Sequence, residues 1–137
     1  MDFSSIIARL KSQTSGFRQI GGLADLEATD KTLVAPPAVF VAPVSETPSD
    51  NLVIDGTNQI VEVRFSVILA LSNQRDASGA QSLDDLNDRR SQIRAVIYGW
   101  EINPTTCDPI LFCGGKLLKF SDGLLWWGDE FSYKTFY

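Results

Sequence analysis

Few residues of this 137-residue chain have the means to do chemistry. The acids Asp84, Asp85 and Asp88 are close enough in sequence to suggest a carboxylate cluster, and Asp129 with Glu130 suggests a pair for general acid–base or metal-assisted hydrolysis. The first group opens a helical stretch, where acids complement the positive end of the helix dipole. Ser82, three residues before Asp85, suits a variant of the capping box better than a nucleophile. Asp129 and Glu130 are neighbours in a strand and point to opposite sides, which spoils a shared metal site. Cys107 and Cys113 stand six apart in a chain with no histidine. Zinc would need two more soft ligands, and a Cys–His pair cannot form within one subunit. Two semi-buried free thiols in a reducing compartment are the expectation. Gly114-Gly115-Lys116 lacks the earlier glycine, the Ser or Thr after lysine and the following helix of a phosphate loop. The residues therefore predict no catalytic site, no metal and no cofactor.

The elements around these residues are organised by the stretch 58–100. Val61, Val63, Phe65, Val67, Leu69 and Leu71 are apolar at every second position, with Glu62, Arg64 and Ser66 between them, the pattern of a half-buried strand. The corner at 72–79 carries turn formers and no large apolar residue. Beyond it, Leu86, Ile93, Val96, Ile97 and Trp100 fall within about 140° of helical arc, a stripe that packs on a sheet. Phe3, Ile6, Ile7 and Leu10 predict a short amphipathic helix over 2–12, with Asp2 or Ser4 as its cap. An edge strand over 17–20 and one or two helical turns over 23–28 follow. Pro36-Pro37 leads into a buried strand over 38–42 that Pro43 limits. Residues 45–57 read as an extended loop, polar except for Leu52-Val53-Ile54, which either tuck under the sheet or dock on another chain. Ile110 to Cys113 and Lys116 to Phe120 form a strand with a bulge or bend at Gly114-Gly115. Asp122-Gly123 predicts a two-residue hairpin turn that sets Phe120 opposite Leu125, Lys119 opposite Trp126 and Leu118 opposite Trp127. One tryptophan then faces the helices, and the other faces solvent or a partner. The fold class is α+β, one domain over 1–137: a mixed, mainly antiparallel sheet of four to five strands with two or three helices packed on one face.

Bulk properties narrow the partners. The net charge of −5, with scattered basic residues, argues against binding nucleic acid through phosphates. A hydrophobic fraction of 44% and a charged fraction of 21% are globular values, and no run approaches the ~18 apolar residues of a membrane span. The opening residues lack the basic start and apolar core of a signal peptide, so the chain is expected to stay in the cytoplasm where it is made.

Residues 73–79, Tyr98-Gly99-Trp100, residues 115–118 and 122–131, with Met1-Asp2-Phe3, Ile6 and Val44-Ser45-Glu46 in support, form an ordered set of stretches. Together they resemble the tail terminator proteins of long-tailed bacteriophages and prophage-encoded particles. Lys116 departs from the family pattern, in which arginine is usual, and so lacks a fork-shaped donor. The resemblance implies a structural protein of the virion tail, assembled in the host cytoplasm. It implies a homohexameric ring on the head-proximal end of the tail tube, which stops tube polymerisation and meets the head connector or head completion protein. DNA would pass through the lumen without specific binding, and no membrane is involved. A ring needs heterologous contacts. The candidate interface residues are Leu52, Val53 and Ile54 in the loop, Arg75 and Asp76 in the corner, and Trp126, Trp127, Asp129, Glu130 and Phe131 in the last strand. The alternative is a small ligand-binding or regulatory α+β domain, which a stable monomer in solution would favour.

Overall fold

The computed structural model describes residues 3–29, 34–72, 80–121 and 123–137. The elements run α1 (Ser4–Gln13), β1 (Gln19–Gly21), α2 (Leu23–Ala28), β2 (Ala38–Pro48), β3 (Ile60–Ser72), α3 (Ala80–Ile97), β4 (Leu111–Ser121) and β5 (Leu124–Phe136). They form an α+β fold with one five-stranded sheet in the order β1-β2-β3-β5-β4. β1 lies parallel to β2, and every other neighbouring pair is antiparallel.

β3 is the central strand, and its alternation decides which face is buried. The six apolar residues from Val61 to Leu71 all point to one side, where Ile6 and Leu10 of α1 and Leu86, Ile93, Val96 and Ile97 of α3 cover them. Each fully buried aliphatic or aromatic side chain there contributes about 1.5–3 kcal/mol. Phe65 lies at the centre of this core, with ring centroids 5.5 Å from Phe3, 5.8 Å from Phe131 and 6.2 Å from Tyr133. α1 begins at an N-cap of Phe3 with no side-chain cap bond, so Ser4 lies inside the helix and does not cap it. Its place is held by burial, and by Arg9, which donates to the Val96 carbonyl at 2.8 Å and lies over the Trp100 ring.

The opposite face of the sheet is not left to solvent throughout. Ala38, Phe40, Ala70 and Trp126 form a second buried cluster there, joined by Leu26 of α2 and Val34. α1 and α3 thus cover one face, and α2 contributes to the other. Ala38 pairs with Ala70, and Ala70 with Trp126, so small residues leave room for the indole, which stacks on Phe40 with centroids 6.2 Å apart.

Two strand boundaries differ from the expectation. Pro43 does not end β2: a bulge between Pro43 and Ser45 absorbs the missing donor, and the strand continues antiparallel to β3 as far as Pro48. Residues 45–48 are therefore strand, and the loop proper is 49–59. The hairpin places Ser121 opposite Leu124, Phe120 opposite Leu125 and Lys119 opposite Trp126, with Gly123 in the left-handed region at φ 73°. Asp122 itself lies outside the described residues. One step further the expected register fails, because a second bulge at Leu118 sets Leu117 opposite Trp127. The bend at Gly114-Gly115 is present, as a register shift between Phe112 and Gly114.

Candidate assembly surface

The candidate surface is built outward from one buried ion pair. Asp129 on β5 faces the helices and is only 3% exposed. Arg90 on α3 grips it with a fork, Nε donating to Oδ2 at 3.1 Å and Nη2 to Oδ1 at 3.0 Å. Trp127 Nε1 donates to the same Oδ1 at 3.0 Å, while the Arg90 guanidinium lies 4.7 Å from the Trp127 ring centroid. Such a bidentate, charge-assisted contact fixes orientation as well as adding energy. Gly115 of β4 lies opposite Asp129, and a Cβ there would collide with Asp129 Oδ1 and crowd the Arg90 and Trp127 side chains. The carboxylate occupies the space of the absent side chain.

β4 borders this clamp and forms an edge of the sheet. All its residues are exposed except Gly114 and Ser121, among them Leu111, Phe112, Leu117, Leu118 and Phe120. A long apolar strand at the edge of a sheet is a template for contact with another chain. So much exposed apolar surface on one element makes it a candidate interaction site. The sequence pattern does not mark this strand as an edge. The adjacent pairs Leu111-Phe112 and Leu117-Leu118 are apolar towards both faces, a pattern usual in a covered central strand, and only the strand order puts them at an edge.

A second surface is the arm made by the end of β2 and the loop 49–59. Leu52, Val53 and Ile54 do not tuck under the sheet, and Ile54 is 99% exposed. The loop is nevertheless closed by hydrogen bonds, with Ser49 and Gln59 joining its two ends and Asn51 bridging its interior. Asn51 Nδ2 donates to the carbonyls of Val53 (2.9 Å) and Gly56 (3.0 Å), and its Oδ1 accepts from the Asn58 amide at 2.7 Å. Leu52 N adds a bond to the Asn58 carbonyl. At the root of the arm, the Tyr137 hydroxyl donates to Glu46 Oε1 at 2.6 Å. That bond, with smaller contributions from desolvation and the Glu46 charge, raises the tyrosine's pKa above its ordinary value. Because the folded pKa is the higher one, the stabilisation is complete below the unfolded value near about 10 and is lost as pH rises through the folded value. Glu46→Gln will lower the Tyr137 pKa in an NMR titration; an unchanged value would show that the contact does not persist in solution.

The remaining residues of interest fall as follows. Trp126 and Phe131 are buried within the subunit, as is Asp129, so their side chains do not face a partner. Trp127 is half-buried against the helix-side core. Neither tryptophan is left to solvent, because the second cluster covers the one that the helices do not. Glu130 points away from Asp129, as the strand alternation requires, and joins Glu62 around Arg64 on the open face, at 3.4 Å and 2.8 Å. These two acids, with Cys113 nearby, raise the already high Arg64 pKa. Arg75 and Asp76 lie outside the described residues. Both cysteines are free; Cys107 is partly covered and Cys113 is exposed on β4, not semi-buried. Asp85 makes an i,i+4 ion pair with Arg89. Among the described residues no group of three His, Cys, Asp or Glu side chains could hold a metal, and no helix is long and apolar enough to cross a membrane. A groove of about 440 Å³ beside α1 is lined by Arg9, Tyr98, Trp100 and Glu101. Its arginine is already engaged by Val96 and Trp100.

These features define a small structural subunit with a finished interior and two unfinished outer surfaces. The chain belongs to the phage tail terminator family: the family model described as phage tail terminator protein matches residues 1–136. A search of curated proteins found no match. The family is one of structural proteins, so the chain is a component of the bacteriophage tail and assembles with other tail components.

Proposed function

We propose that the chain forms a homohexameric ring on the head-proximal end of the tail tube, where it stops tube polymerisation and offers its other face to the head connector or head completion protein. The observation that carries this reading is the contrast between a complete core and the apolar side chains left outside it on β4 and the arm. An isolated subunit gains nothing from those groups, whereas a ring covers one set with the other through heterologous contacts. The six-fold count comes from the family resemblance. The acidic balance of −5 suits a lumen that conducts DNA without holding it, since like charge repels the phosphates.

Light scattering on the eluting protein, followed by electron microscopy alone and with the tube protein, tests the ring. A species that stays at 15.1 kDa at every concentration and forms no ring on the tube would overturn the proposal and favour a small-ligand or regulatory domain. Truncating Leu52, Val53 and Ile54 together to alanine will abolish ring formation and leave the circular dichroism of the subunit unchanged, because the triplet is no part of either buried cluster. Loss of secondary structure in that variant would show that the triplet supports the core instead.

A further inference from the structure

Charge distinguishes the two outer surfaces. The arm, residues 44–59, carries Glu46, Asp50 and Asp55 and no basic residue, a charge of −3. β4 carries Lys116 and Lys119 and no acid, a charge of +2 in a chain that is −5 in total. Both surfaces are apolar and exposed as well. We propose that the arm of one copy docks across the outer edge of β4 of the next copy, head to tail, and that this single contact repeats around the assembly. The proposal rests on the ring reading and names the surfaces that build it.

Three observations favour this partner over others. Pairing β4 with β4 would bring four lysines together, and pairing arm with arm would bring six acids together; like charges in register cost several kcal/mol at an interface. The isologous alternatives are therefore disfavoured and the heterologous one is attractive. The two surfaces also belong to different sides of the subunit, β2 on one flank of the β3–β5 pair and β4 on the other, which a repeating contact requires. Finally, the bonds of Asn51 close the loop before any partner arrives. Docking Ile54 then costs little ordering entropy. Pro43 and Pro48 remove donors from the β2 backbone, so the arm does not zip onto β4 as a full extra strand and meets it through side chains.

The test uses two charge reversals in the full chain, Asp50→Lys with Asp55→Lys on the arm, and Lys116→Glu with Lys119→Glu on β4. Each variant alone will remain monomeric. An equimolar mixture will regain the ring, because every arm then finds an edge of opposite charge. Rings formed by either variant alone, or a mixture that stays monomeric, would overturn the pairing while leaving the wild-type ring intact. A wild type that forms no ring, alone or on the tube, would remove the ring reading and this one together. The native thiol Cys113 provides a check that needs no variant: exposed on β4, it will react with a maleimide in the dissociated subunit and be protected in the ring. Equal reactivity in both states would overturn the proposal even if a reversed variant failed to fold.

Discussion

Replacing Arg90 by alanine will lower the unfolding free energy by about 3–5 kcal/mol, the cost of leaving a buried charge without its partner. The Asp129 carboxylate is nearly sealed from water and takes its bonds from Arg90 and from the Trp127 indole. Without the guanidinium, one neutral donor remains for a full negative charge, and the Trp127 ring loses the cation above it. Urea denaturation followed by tryptophan fluorescence measures the loss. Arg90→Lys will fall between wild type and alanine, since lysine restores the charge without the fork. A cost below about 1 kcal/mol, the range of exposed ion pairs, would mean that water reaches the carboxylate freely. Replacing both partners with apolar residues of similar volume will cost less than Arg90→Ala, because no charge is then stranded.

The second large effect is expected at Phe65. Its truncation to alanine will cost about 3–5 kcal/mol through lost transfer energy and the cavity left behind. Phe65 has no exposed surface and touches the ring of Phe3, the residue that precedes α1, as well as that of Phe131 on β5, so the cavity opens at the junction of the helices with the sheet. Phe131, one of those rings, also meets Phe112 of β4 edge-on at 5.7 Å, which links the core to the assembly edge. If the proposed ring forms, Phe65→Ala will thus weaken it in parallel with thermal stability. The arm truncation will separate the two properties. Loss of assembly at full stability in Phe65→Ala would show that the core and the edge communicate by geometry alone.

β3 and α3 are legible because each carries a sustained period, two in the strand and 3.6 in the helix, although Trp100, expected on the helical stripe, lies beyond the last residue of α3, Ile97. The hairpin at Gly123 was legible because its turn chemistry is local. What stayed hidden depends on distant parts of the chain. The burial of Trp126 rests on Ala38, Ala70 and Leu26, three residues with no local mark of a pocket. Alternation alone separates Asp129 from Glu130, yet the partner of Asp129 stands 39 residues away on α3. The continuation of β2 past Pro43 rests on a bulge opposite β3. The exposure of β4 follows from strand order, which places apolar pairs at an edge. Of the interface candidates, the Leu52-Val53-Ile54 triplet is exposed, whereas Trp126, Asp129 and Phe131 stabilise the subunit from within.

The missing side chain at Gly115 also sets the position of the outermost strand. Sliding β4 along β5 by two residues would bring Cys113 or Leu117 over the Asp129 carboxylate, and their Cβ atoms would meet the oxygen that glycine avoids. A slide by one residue would offer Gly114 instead but would turn every β4 side chain to the opposite face, so among alignments that keep the faces only the present one fits the keyhole. Every copy therefore presents its outward row of side chains at the same height relative to its helices, which is what identical neighbours need if a chain of contacts is to return to its starting point.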